Sequence, residues 1–311
     1  MFTEGAEGLM KIESMLLRLR ALAQVHIHVS PLDIAGLRHT ALMNSQIKER
    51  MDRGLVLAQE AAAVALDFFR RREELLVQSK GPQDMVSEAD QAVERFIRSG
   101  LAERFPEDAI QGEEYGRTAG SSGFAWVIDP IDGTANFVSG IPSWCVVLAC
   151  VHQGAVVVGI IVDPNSKEVF TARKGQGAWL NDRPMKVSAT TSITQGSIGM
   201  GYCNRIAPDT LLEFLEPFLK AGGMFYRNAS GALMLAYVAA GRLIGYHEGH
   251  MNPWDCLAGL LMIEEAGGRC WPYNTEKMLA DGDAILGSAP GVFDALDRLG
   301  AFTLSRPPIQ V

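Results

Sequence analysis

The stretch WVIDPIDGTANF at residues 126–137 sets two aspartates, Asp129 and Asp132, three positions apart, behind an apolar run and ahead of a Gly-Thr pair. Other carboxylates sit where further elements end: DMVSEAD at 84–90, the pair Glu113 and Glu114, and Asp255 directly after Asn-Pro-Trp. Two like charges at ~4 Å repel by about 4 kcal/mol at an effective dielectric of 20. Charged side chains at the end of a buried strand therefore need a counter-charge. Lysine is scarce beside these motifs, with only Lys80 close to one in sequence. A hard divalent cation held by oxygen ligands meets the need, and magnesium suits carboxylates, backbone carbonyls, waters and phosphate. A lone Asp-x-x-Asp is usually a solvated turn, but the flanks here argue otherwise. Gly133 allows close backbone approach, and a helix starting at 133–135 offers N–H groups and a positive dipole end to a phosphate. Metal carboxylates beside an anion-binding helix start point to phosphoryl transfer.

The elements that must hold these residues follow from periodicity. A strongly helical pattern rich in Ala, Leu, Glu and Arg starts near Met43 and runs to about residue 75. A loop follows at 78–85, punctuated by Gly81 and Pro82. Ser87 then caps a helix over about 88–104, with Asp90 three residues on. Residues from 109 read as a short strand that ends on the paired glutamates. Residues 124–187 alternate apolar runs with turn signals, which predicts an antiparallel meander. From about 190 the pattern changes to alternating strands and helices. Strands are expected at SIGMGY, MFYRN and LIGYHE and near 269 and 284, with helices over 208–221, 231–241, about 253–266 and 291–299. The fold class is α+β / α/β. The expected division is an N-terminal extension over 1–42, an α+β half over 43–190 with the metal carboxylates, and an α/β half over 191–311 with Asp255 and the substrate-facing residues.

Composition excludes several classes. The chain has 311 residues, 48% hydrophobic, enough for a sizeable core. A net charge of −8 makes nucleic acid an unlikely partner, because a phosphate backbone wants a basic surface. The five scattered cysteines form no C-x-x-C, which argues against a disulfide framework or zinc knuckle and fits a reducing, cytoplasmic setting. No apolar run is long enough for a transmembrane helix, and the start lacks the basic-then-apolar order of a signal peptide. Residues 1–42 connect to no later motif. Two readings stay open: translation starts at Met43, or the segment is a genuine extension, disordered or packed on a partner. A short helix at 10–24 and a strand at VHIHV are expected there. His26 and His28 share a face of that strand, but two ligands without a third seldom make a metal site.

The motifs WVIDPIDGTANF, GEE at 112–114, PWDCLAGLLMIEEAGG at 253–268 and DMVSEAD at 84–90 occur in the order found in the inositol monophosphatase family, which the chain resembles over roughly 45–300. The resemblance implies a layered αβαβα sandwich, usually a homodimer, and a magnesium-dependent, lithium-sensitive phosphatase with two or three ions per site. It implies that Glu113, Asp129 and the Ile131 carbonyl bind one magnesium. Asp129, Asp132 and Asp255 bind a second, with Asp129 bridging. Asp90 and Thr134 position and deprotonate the attacking water, and Glu114 assists. The N–H groups of Gly133 and Thr134 hold the phosphate, while Asp132, Ala232, Glu248 and Asp255 face the substrate. The expected substrate is a small polyol or sugar phosphate resembling inositol 1-phosphate. Fructose 1,6-bisphosphate, histidinol phosphate and 3′-phosphoadenosine 5′-phosphate are alternatives. The last would want basic residues for a second phosphate, and only Arg205 and Arg227 offer themselves. A regulatory, partner-binding protein with incidental phosphatase activity is the reading from another class. The chain departs from the family pattern at Ser230-Gly231, in the loop between Lys80 and Asp84, and at HEGHMNP over 247–253. There, His247 and His250 read as zinc ligands, substrate contacts or plain loop residues.

Overall fold

Helix α1 (Pro31–Arg70) opens on a proline, whose missing N–H costs nothing in a first turn. It begins before the expected Met43 because residues 31–42 also contain good helix formers. The computed structural model describes residues 31–74, 77–81 and 84–300. The readings placed at 10–24, at VHIHV and at His26 and His28 lie outside these. The chain forms two compact units, residues 1–49 and 50–311. Everything below concerns the second.

Strands β1 (Val77–Gly81) and β2 (Asp84–Ser87) pair antiparallel where the sequence reads as a loop. Strands of five and four residues are too short to show a period of two. Ser87 caps α2 (Glu88–Arg104) as expected, in a capping box closed by Asp90. Strands β3 (Ala109–Gly112), β4 (Gly116–Thr118) and β5 (Phe124–Asp132) follow, then the short helix α3 (Thr134–Val138). Strands β6 (Cys145–His152), β7 (Ala155–Asp163), β8 (Glu168–Arg173), β9 (Ala178–Leu180) and β10 (Arg183–Pro184) complete the expected meander. The eight-stranded sheet has the order β10-β9-β8-β7-β6-β5-β3-β4, with β3 and β5 parallel.

The remainder alternates β11 (Ser197–Met200), α4 (Pro208–Lys220), β12 (Met224–Tyr226), α5 (Gly231–Ala239) and β13 (Gly245–Met251), followed by α6 (Pro253–Glu265), β14 (Arg269–Cys270), α7 (Thr275–Asp281), β15 (Asp283–Ser288) and α8 (Pro290–Gly300). Its five strands order as β12-β11-β13-β15-β14. Helix α7 was not foreseen. It has only seven residues, too few to show a helical period, and is started by Asn274, whose side chain accepts the Lys277 N–H. Strand β13 runs past the expected LIGYHE because a bulge between Glu248 and Met251 carries it on.

The layers are α1 and α2, the eight-stranded sheet, α5 and α6, the five-stranded sheet, then α4 and α8: an αβαβα sandwich. Cover on both faces explains why β5, β6 and β7 are near-continuous apolar runs rather than alternating ones. Helix α1 lies so close to the first sheet that a Cβ on Gly54 would stand 2.7 Å from the Trp126 indole. The five cysteines between Cys145 and Cys270 are all free.

One charge pair is buried under this layer. Asp108 Oδ1 accepts from Arg50 Nη2 at 2.6 Å and Ser122 Oγ at 2.7 Å, and Oδ2 accepts from Arg50 Nε at 2.9 Å and Trp126 Nε1 at 3.0 Å. Breaking such a buried pair by removing one member costs about 3 kcal/mol or more. Asp108→Ala is therefore expected to lower the unfolding free energy by about 3 kcal/mol in denaturant titrations. A loss near zero would mean that Arg50 finds water instead.

Candidate active site

In a flat strand, residues three apart point to opposite faces. Asp129 and Asp132 do not, because β5 is bulged between them. Asp129 pairs with Val147 and Asp132 with Cys145, so three steps on β5 match two on β6. Pro130 lies in that bulge, where a missing N–H breaks no ladder bond. Strand β3 runs parallel to β5 with Gly112 opposite Ile128, which sets Glu113 level with Asp129 at the carboxyl ends of two parallel strands. Asp255 arrives from the other half, in the first turn of α6.

Carboxylate oxygens of Asp129, Asp132 and Asp255 all lie within 4.8 Å of one another. Asp129 and Asp132 are buried and Asp255 is partly so. Each has partners of its own, and Asp129 and Asp255 also share a side-chain hydrogen bond. Asp129 Oδ1 accepts the Ile131 N–H at 2.9 Å. Asp132 is the most heavily solvated by protein: its Oδ2 accepts from Ser230 Oγ at 2.6 Å and the Ala232 N–H at 2.8 Å, and its Oδ1 from the Gly231 N–H at 3.3 Å. These donors form the start of α5, so Asp132 sits at the positive end of that helix. Asp255 likewise occupies a helix N-terminus, and Asn252 Nδ2 donates to its Oδ2 at 3.3 Å. Protein dipoles thus answer part of the repulsion. They do not answer all of it.

Burial, then the charges of Glu113, Asp255 and Asp132, push the Asp129 carboxyl well above the usual range. Burial also raises Asp132, against four donors, those three and the Cys145 thiol. Asp255 is pushed up to about 7, by burial first and Asp132 second. Three carboxylates in a largely buried, electron-rich cluster fit a hard divalent cation; Glu113, expected beside them, is not in that group and reaches Asp129 through its charge.

Asp90 and Thr134 form a second group. Thr134 Oγ1 lies 3.1 Å from Asp90 Oδ1 and 3.2 Å from the Ile131 carbonyl, acceptors for its one proton. Asp90 Oδ2 accepts from Ser87 N at 2.8 Å and Ser87 Oγ at 2.6 Å. The capping box therefore fixes one oxygen of Asp90 and leaves the other to Thr134. Burial raises the Asp90 pKa, making it a stronger base. Gly133 precedes Thr134 with φ 102°, and a Cβ there would stand 3.0 Å from the Ser143 carbonyl, so only glycine fits.

The remaining expected residues are placed as follows. Glu248 is buried, and Tyr246 OH donates to its Oε2 at 2.5 Å. Burial raises its pKa to about 8. Ala232 is fully buried and reaches the site through its N–H on Asp132. Glu114 follows Glu113 in the turn after β3. His247 is neither a ligand nor a loop residue: it points to the opposite face of β13 from Glu248, stacks on Phe214 at 4.4 Å, and its Nδ1 lies 3.0 Å from the Ile285 carbonyl. Burial lowers its pKa to about 4. His250 Nε2 lies 2.9 Å from the Asp281 carbonyl. A cavity of ≈ 1030 Å³ is lined in part by Glu113, Arg205, His250, Asn252 and Trp254, but by none of Asp129, Asp132 and Asp255. Sequence reasoning missed Ser230, Tyr246 and Asn252 as partners of the acids. Ser230 and Asn252 carried a usable signal, since each is a cap-type residue just before a helix.

These shifts predict a pH dependence. A carboxyl with a raised folded-state pKa binds its proton more tightly folded than unfolded, so its contribution is lost as pH rises through the folded value. Asp255 and Glu248 act this way up to about 7 and about 8. His247 acts oppositely, but only below its ordinary value of 6.5. In chelator, the melting temperature should therefore fall from about pH 6.5 to about pH 8, and Asp255→Asn should flatten that fall and melt higher at the alkaline end. A wild-type curve that is flat or rising there contradicts the charge cluster.

The chain matches the inositol monophosphatase family over residues 48–298. It is 36% identical over 255 residues to the inositol-1-monophosphatase of Rhizobium meliloti, covering 80% of this chain and 92% of that protein. It is 35% identical over 241 residues to the Nus factor SuhB of Pseudomonas aeruginosa, covering 74% and 88%. Among solved structures, the extragenic suppressor protein suhB from Bartonella henselae superposes with a TM-score of 0.76 at 33% identity, over 80% of this chain and 97% of that one.

Proposed function

The chain belongs to the inositol monophosphatase family and is a phosphoric monoester hydrolase; from that premise we propose that it is a magnesium-dependent phosphatase of a small polyol or sugar phosphate resembling inositol 1-phosphate. The observation that carries this reading is the convergence of Asp129, Asp132 and Asp255 within 4.8 Å beside the Thr134–Asp90 pair. Glu113, Asp129 and the Ile131 carbonyl would hold one magnesium, and Asp129, Asp132 and Asp255 a second, with Asp129 shared. When bound, magnesium lowers the pKa of the attacking water and offsets charge on the phosphoryl oxygens.

The chain's own residues do the rest. The attacking water gives its proton to Thr134 Oγ1 as Thr134 passes its own to Asp90 Oδ1, the oxygen that Ser87 leaves free. Glu114 supports the turn that presents Glu113. The N–H groups of Gly133 and Thr134 hold the phosphate, and the strained backbone at Gly133 keeps them together. Glu248, fixed by Tyr246, orients a substrate hydroxyl, with Asp132, Ala232 and Asp255 on the same side. Asn252 accepts from Arg205, which leaves Arg205 less suited to a second phosphate and supports a monophosphate.

Cytoplasmic placement and homodimerisation belong to the same proposal. The exposed Met224, Phe225 and Tyr226 on the edge strand β12, with Leu212 and Leu219 on α4, support a second copy as partner. No helix among the described residues is long and apolar enough to cross a membrane. The likeness to a Nus factor favours one other reading, a regulatory protein with incidental phosphatase activity.

The test is phosphate release from inositol 1-phosphate, fructose 1,6-bisphosphate, histidinol phosphate and 3′-phosphoadenosine 5′-phosphate, with magnesium, chelator or lithium. Magnesium-dependent, lithium-inhibited release, fastest on inositol 1-phosphate, is expected. Thr134→Ala should lower the rate by roughly 10²-fold or more while magnesium binding is retained. Silence of the wild type across the panel, with magnesium bound, would turn the case to the regulatory reading.

A further inference from the structure

Glu94 is an acid with no solvent exposure that the reaction does not use. It stands one helical turn after Asp90 on α2, and Arg98 one turn further, so the three share a face of the helix. Its carboxylate receives two backbone donors from the turn after β3: the Glu114 N–H to Oε2 at 2.7 Å and the Tyr115 N–H to Oε1 at 3.1 Å. Arg98 Nε donates to Oε1 at 2.7 Å and supplies the countercharge. The same guanidinium donates to the Gly116 carbonyl and, at 3.2 Å, to Thr118 Oγ1, closing the far side of the turn. Arg95 binds the Tyr115 hydroxyl. Gly112 allows the approach: a Cβ there would stand 2.6 Å from Glu94 Cδ.

The turn so gripped contains Glu113, whose own peptide lies between Gly112 and the clamped Glu114 N–H. We propose that Glu94, braced by Arg98, is the positioning residue for Glu113: it fixes the backbone from which Glu113 reaches the metal and ties that reach to the helix that carries Asp90. A buried carboxylate is costly unless fully hydrogen-bonded, and here the bonds are spent on two consecutive N–H groups of one turn. The inference rests on the reading of Glu113 as a metal ligand.

Glu94→Gln keeps the shape and loses the charge. Two readouts are taken on purified full-length protein. Manganese affinity, by electron spin resonance titration, should fall roughly tenfold or more at the tighter site, while kcat at saturating magnesium stays within about twofold. Amide exchange of the metal-free protein should speed up at Glu114 and Tyr115, by about tenfold if one strong bond is lost. Asp108→Asn, which breaks the buried Arg50 pair, controls for general destabilisation and should move neither readout. Should Glu94→Gln fail to fold, Arg98→Met is used instead, and both readouts should shift in the same direction by about threefold, as for loss of a partly exposed partner. Unchanged manganese affinity and unchanged exchange at 114 and 115 overturn the proposal. Asp129→Asn separates the two ideas: if it leaves manganese binding intact, the metal reading fails, whereas the metal-free exchange still decides whether Glu94 holds the turn.

Discussion

Mutual repulsion among buried carboxylates is the constraint on which the rest of this structure depends. Asp129, Asp132 and Asp255 come within 4.8 Å of each other in a largely buried site, with Glu113 close enough to raise the Asp129 pKa further. Left alone, such a cluster protonates or expands. The fold instead surrounds it with positive ends: α5 donates from Ser230, Gly231 and Ala232 to Asp132, and α6 carries Asp255 in its first turn. These dipoles lower the cost without removing it, since all three acids keep raised pKa values. A site that stays electron-rich after its protein donors are counted has the chemistry that suits the divalent cation proposed for it.

The sandwich follows from delivering the acids to one place. Strands β3 and β5, parallel neighbours, supply Glu113 and Asp129 at the same end. The bulge in β5 turns Asp132 to the same side. Helix α6 packs across β5, β6, β7 and β8 and brings Asp255 from 123 residues away along the chain (255 − 132). Helix α2 lines the other side, with Asp90 in its first turn and Glu94 and Arg98 behind it. Each contributor is a rigid element anchored in a shared core, which suits a site whose charges would otherwise push it apart.

Much of this was legible in the sequence because the acids sit at element ends, where an apolar run stops on a carboxylate. The Ser87 cap, the meander and most α/β alternation were readable for the same reason: cap residues and sustained periods are local signals. What was not legible is what depends on register. The bulge at Pro130 cannot be told from an ordinary turn without the partner strand. Glu94 looks like one more polar residue on an amphipathic helix until the Glu114 and Tyr115 N–H groups are seen facing it. His247 sits beside Glu248 in sequence, yet strand alternation sends it into the core against Phe214. Helix α7 and the β1–β2 hairpin were too short to leave a period.

The central claim is that protons neutralise the carboxylate cluster when it is empty and a divalent cation does so when it is loaded. Calorimetric titration of the metal-free protein with magnesium near pH 6.5, repeated in buffers of different ionisation enthalpy, measures that exchange directly. The account predicts release of about one proton or more per site filled, falling toward zero as pH rises above the raised pKa values. Magnesium binding with no proton release at that pH would contradict it.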